Sequence, residues 1–208
     1  MVFGALIGGV VSLSVGLYNL SKSFELTQEK ERRATLRKDI ITLKQVEREL
    51  DRNLSLLLNQ NFIPDMQFEK ASNSSKLKGL PKNELFGILR MFFGEGQILT
   101  KYVMPKEGFV MGAWIPYPVS SEIDFDLSEQ LTDFYRKTDR VNYYLNEIRR
   151  IIGYNPVIIS ETASNEIKRL IEEIKTEVSD ITDKKIVDIK NKVNSEIRRL
   201  EKEFSVMK

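Results

Sequence analysis

The stretch LSEQLTDFYRKTDRVNYYLNEIRRII, residues 127–152, decides the fold class. Leu127, Leu131, Phe134, Thr138, Val141, Leu145, Ile148 and Ile152 follow one another at intervals of 4-3-4-3-4-3-4, and only Thr138 among them is polar. Steps that alternate between three and four put these side chains on one stripe of an α-helix, the heptad pattern of packed helices. Gly153 stands where such a helix should stop, and Pro156 follows shortly after, the punctuation of a helix C-terminus. Glu122, Asp124 and Asp126 place negative charge at the other end, where it complements the helix dipole.

Two more stripes lie on either side. Between Phe24 and Leu58 there is neither Pro nor Gly, and Leu36, Ile40, Leu43, Val46, Leu50, Leu54 and Leu57 take six steps over 21 residues, a mean of 3.5. That value fits a heptad seam rather than an isolated straight helix. Towards the C-terminus, Ser160 reads as an N-cap with Glu161 in the first turn. Ile167, Ile171, Ile174, Val178 and Ile181 keep the same rhythm, which then slips by one residue and resumes as Ile186, Ile189, Val193, Ile197, Leu200 and Phe204. A third helix is therefore expected over Ser160–Phe204. Its balanced charges, eleven acidic and eleven basic from Glu161 to Lys208, read as a solvated face with i,i+4 pairs.

The expected lengths of the three helices are about 52, 39 and 67 Å. A compact three-helix bundle cannot cover the whole of the last one. An isoleucine stripe left in water is a liability, so a second copy of the chain is the expected cover, giving a homo-oligomer.

The middle of the chain breaks the helical pattern. Asn59–Lys78 reads as a loop, and Lys82–Phe93 as a short helix opened by Pro81 and closed by Gly94. Gln97–Met104 and Phe109–Ile115 flank Pro105-Lys106-Glu107-Gly108, which predicts a β-hairpin. The second strand carries the only tryptophan, Trp114. Its rings are expected to pack on the helices beneath and close a small core. The alternative is a regulatory or sensory module in which Phe109, Trp114 and Tyr117 anchor a protein partner.

The opening run MVFGALIGGVVSLSVGLYNL, residues 1–20, contains no charge, and Lys22 is the first charged residue of the chain. As a helix it spans about 29 Å, close to the hydrocarbon thickness of a bilayer. It is longer than an ordinary buried core segment and apolar all round. It lacks the basic leader and the small-x-small cleavage site of a signal peptide. Residues 1–21 are therefore expected to be a transmembrane anchor in contact with lipid. Gly4, Gly8, Ser12 and Gly16 recur every fourth residue, a stripe of small side chains of the kind that lets membrane helices approach closely. Lys22, Lys30, Arg32, Arg33, Arg37 and Lys38 follow the run and nothing basic precedes it. The positive-inside rule then puts the N-terminus outside and the C-terminal bulk in the cytoplasm.

Composition closes off most chemistry. The chain of 208 residues has no Cys and no His, which excludes thiolate and imidazole nucleophiles, Ser-His-Asp arrangements and Cys or His metal ligands. With 32 Lys+Arg against 30 Asp+Glu it lacks the basic excess of a nucleic-acid binder. The Asp124-x-Asp126-x-Ser128 spacing fails as a calcium loop, because Glu129 and Tyr135 stand where that loop requires Gly and Glu. No catalytic residue, metal site, cofactor or small-molecule substrate is expected. The fold class expected is mainly α: an anchor at 1–21, a long amphipathic helix at 22–58, a loop, short helix and β-hairpin inserted at 59–121, and a two-helix antiparallel hairpin at 122–208. The function expected is that of a self-associating, membrane-anchored helical scaffold or interaction protein, not an enzyme.

Overall fold

A computed structural model describes residues 2–59, 62–70, 96–114, 122–153 and 158–207, with side chains from residue 16 to 58 and from 159 onward in the first and last of these spans. The described chain is mainly helical. Helix α1 spans Val2–Asn59. Strands β1 (Asp65–Lys70) and β2 (Gln97–Val103) follow. Helix α2 covers Phe125–Ile152, β3 is the two-residue strand Ile158–Ile159, and helices α3 and α4 cover Glu161–Ser179 and Asp183–Val206. Helix α1 packs along α4, and α2 packs along both α3 and α4.

The three apolar stripes are what these helices bury. Leu36, Leu43, Val46 and Leu50 of α1 lie in the core, and so does the complete α2 stripe from Leu127 to Ile152. Asp124 caps α2 by accepting a hydrogen bond from the Leu127 N–H at 2.9 Å. Asp126 sits in the first turn. Gly153 ends the helix at φ 64°, a left-handed conformation that glycine adopts without strain. Ser160 caps α3 through the Ala163 N–H.

The single helix expected over Ser160–Phe204 is instead two. Asp180, Ile181 and Thr182 break it, and Thr182 starts α4 by accepting from the Lys185 N–H at 3.1 Å. The break coincides with the slip in apolar spacing between Ile181 and Ile186. It lets both halves keep their stripe inward against α2 and α1, so Ile167, Ile174, Ile181, Ile186, Val193 and Leu200 are all buried within one chain. The uncovered isoleucine stripe that called for a second copy is therefore not present.

The hairpin is also corrected. Strand β2 forms at Gln97–Val103, but it pairs antiparallel with β1, from Asp65↔Val103 to Lys70↔Gln97, across a bulge between Gln67 and Phe68. Its other edge takes β3 through Gln97↔Ile159 and Ile98↔Ile158. The partner of β2 thus comes from the stretch read as a loop. Residues 109–114 form no strand, because helix side chains satisfy their backbone. The expected helix Lys82–Phe93 lies outside the described residues.

Candidate functional site

Two features stand apart from the bundle core: an extended segment held between α1 and α2, and the arm of α1 that runs beyond the other helices.

The segment Met104–Trp114 lies across α1 and α2, with bends at 106–107 and 113–114 and an extended run between them. In such a chain the N–H and C=O of one residue point to one side and those of the next to the other. Here Phe109 turns both groups to α2. Its N–H donates to Asn142 Oδ1 at 2.7 Å, and its carbonyl accepts from Asn142 Nδ2 at 2.8 Å. Val110 turns both to α1, where Asn53 Oδ1 and Nδ2 meet them at 2.6 and 2.8 Å. Gly108 precedes the clamp, and a β-carbon there would lie 2.3 Å from Asn142 Oδ1. The close approach of the asparagine is what requires glycine. Arg149 donates to the Pro105 carbonyl at 2.9 Å.

A carboxylate completes the attachment. Glu49 of α1 accepts from the Ala113 N–H at 3.0 Å and from the Tyr135 hydroxyl at 2.5 Å. Burial of Tyr135, with that hydrogen bond and the charge of Glu49, pushes its phenol far above the ordinary tyrosine range. The phenol therefore stays protonated as a donor. Trp114 donates its indole N–H to Thr132 Oγ1 at 3.1 Å. Phe109 stacks on Phe62 with ring centroids 4.2 Å apart.

Of the three rings proposed as partner anchors, Phe109 and Trp114 are each 4% exposed and belong to the core, while Tyr117 lies outside the described residues. Asn53, Asn142 and Glu49, which hold the segment, were not singled out from sequence. The signal was present: Asn53 lies between Leu50 and Leu54 of the α1 stripe, and Asn142 follows Val141 in that of α2.

Open grooves flank the start of α2. One, of about 720 Å³, is lined by Phe125, Asp126, Glu129, Asp133, Arg136 and Lys185. Another, of about 530 Å³, includes Asp124, Lys192, Glu196 and Arg199. Several of their charged groups pair with one another. Asp133 pairs with Arg136, Lys137 and Lys185. Glu196 holds Arg199 at 2.7 Å and accepts from the Asp124 N–H at 2.8 Å. Those contacts keep its carboxyl below the ordinary glutamate range despite its burial. Among the described residues no cluster of acidic side chains is placed to hold a metal ion.

The arm of α1 is the second feature. From Gly16 to Gln28 every side chain is exposed, including Leu17 (65%), Leu20 (72%) and Phe24 (63%). Contact with the bundle begins near Arg32, which pairs with Glu203 of α4 and with Glu122. Nothing lies within 4 Å of a β-carbon placed on Gly16. The side chains of Gly4, Gly8 and Ser12 positions, and most of the 1–21 run, lie outside the described residues. Among the described residues no helix is long and apolar enough to cross a membrane. Comparison with family models, with curated proteins and with solved structures finds no match to this chain.

Proposed function

We propose that this chain is a single-pass, membrane-anchored helical scaffold or interaction protein, self-associating, with its N-terminus outside and its bundle in the cytoplasm. The observation that carries this reading is the course of α1. One unbroken helix joins the uncharged run at 1–21 to the bundle, and the side chains from 16 to 28 are exposed, covered by no other described element. A large apolar surface left open in this way calls for lipid or protein cover. The basic residues that follow the run support the orientation. The clamped segment supports a structural role for the middle of the chain, since its aromatic rings close the core rather than face outward.

Expression of the full chain and of a chain lacking residues 1–20, followed by fractionation and alkaline extraction of the membranes, tests the anchor. The full chain is expected in the extracted membrane pellet and the shortened chain in the supernatant. Full-length protein in the soluble fraction would end this reading.

A further inference from the structure

The clamp on α2 includes a sulfur atom. Asn142 Nδ2 carries two hydrogens. It donates to the Phe109 carbonyl at 2.8 Å and to the Met111 thioether, whose Sδ accepts at 3.2 Å. Asn142 Oδ1 is taken by the Phe109 N–H. Both hydrogens of the amide are thus in use, and every partner lies within the extended run of the segment.

Met111 is the weak member of this set. A thioether is a poor acceptor, and it is the group in the clamp that a peroxide alters. Met111 is partly buried rather than enclosed, and Gly112 beside it is exposed. The chain has no cysteine, so no thiol of its own competes for an oxidant. Met66, Met104 and Met207 are partly buried as well, but among the described residues the sulfur that Asn142 holds is that of Met111.

We infer that Met111 is an oxidation site whose sulfoxide opens the hold of α2 on the segment. A hydroperoxide supplies the oxygen. A lone pair of the sulfur forms the S–O bond, the O–O bond breaks, and the second oxygen leaves with the protons as water. The sulfur is oxidised by two electrons and the peroxide is reduced by two. Either lone pair gives the same outcome. An oxygen added towards Asn142 has no room within a 3.2 Å contact, so the amide moves. An oxygen added on the other side leaves a positively polarised sulfur that no longer accepts from Nδ2, and it sets a polar atom against the apolar core. Each epimer takes a partner from Asn142 and turns its amide away from Phe109. Val110 and Ala113 are held by Asn53 and Glu49 of α1. The segment therefore stays on α1 while α2 lets go of it at Phe109, and the tie between the two helices follows the redox state of one thioether. The inference does not depend on the membrane anchor.

The full chain in detergent, treated with hydrogen peroxide, tests it. Peptide mass spectrometry reads the oxygen gained at each methionine, and amide exchange followed by NMR reads the segment residue by residue. Met111 is expected to gain one oxygen. The Phe109 N–H should then exchange faster by about tenfold or more, the effect of an unmade hydrogen bond. The Val110 and Ala113 N–H groups are expected to keep their rates. Methionine sulfoxide reductases for both epimers should restore the Phe109 rate. Met111→Leu keeps the volume and removes the reaction, so peroxide should leave its Phe109 rate unchanged, whereas Met104→Leu should respond as the native chain does. Met111 left unoxidised while Met66, Met104 and Met207 react would overturn the inference. So would a Met111 sulfoxide with unchanged Phe109 exchange, or an equal acceleration at Phe109, Val110 and Ala113, which would mean general loosening of the fold instead of the opening of one clamp.

Discussion

Asn53 and Asn142 do with two side chains what two neighbouring strands do with main chain. Each supplies one acceptor and one donor to a single residue of the segment at 104–114. Loss of either leaves an N–H and a C=O without a partner in a part-buried place, where each unmade hydrogen bond costs about 1–3 kcal/mol. Asn53→Ala is expected to destabilise the fold by about 2–3 kcal/mol, read from the urea midpoint. Asn142→Asp is the sharper variant. Its shape is kept and the bond from the Phe109 N–H survives, but a carboxylate oxygen would then face the Phe109 carbonyl. It should cost more than Asn142→Ala, and an equal loss in the two would mean that shape rather than donor chemistry holds the segment.

Tyr135 gives the same region a pH signature. Its hydroxyl pKa is raised in the folded state by burial and by Glu49, against an unfolded value near 10. The folded state therefore holds the proton more tightly. The stabilisation is complete below about pH 10 and falls away as the pH rises above that, because the unfolded chain releases the proton first. Denaturation midpoints of the native chain should drop above about pH 10, and Tyr135→Phe should flatten that part of the curve while lowering stability at neutral pH. An unchanged alkaline limb in the variant would place the effect elsewhere.

At the scale of elements, the break between α3 and α4 shows what the apolar rhythm can and cannot say. The step from Ile181 to Ile186 is five residues, one more than a continuous stripe allows. A straight helix would have turned the rest of the stripe into water. Three residues outside the helix reset the register, and Thr182 caps the restart. The slip was visible in the sequence; that it would be resolved by a break was not, since an unbroken helix with a shifted stripe carries the same letters. Thr182→Ala should remove the cap and cost about 1 kcal/mol, measured as a fall in the thermal midpoint, while leaving α1 and α2 intact.

The sheet was less legible for a different reason. Strand β2 has the β-prone run QILTKYV, but β1 is DMQFEK, whose alternation from Asp65 to Glu69 rests on only two apolar residues, Met66 and Phe68, and its partner is distant in sequence. Strand pairing between distant segments leaves no local mark. The Pro-Gly punctuation at 105–108 pointed instead to a nearby partner that the asparagines replace.

At the scale of the whole molecule, α1 is too long for the rest. Its 58 residues extend about 87 Å, while the 24 residues of α4 that it packs along reach about 36 Å. Everything from Gly16 to Gln28 lies past the bundle, and none of those side chains is buried. Stability scales with the surface removed from water, so the arm has no share in the stability of the bundle. A chain beginning at residue 29 is expected to unfold at the same urea midpoint and with the same slope as the full chain in detergent, while losing self-association and membrane attachment together. A truncation from the opposite end behaves differently, because Leu200 is buried and Phe204 packs on the core. Removing residues 197–208 also deletes Glu201 and Glu203, the partners of Lys44 and Arg32. That loss should expose Leu36 and lower the midpoint markedly. The two truncations separate the arm, which packs on no other described element, from the bundle formed by the rest of α1 with α2, α3 and α4. If removal of residues 1–28 instead loosened the bundle, the arm would have to contact it, contrary to the geometry of α1.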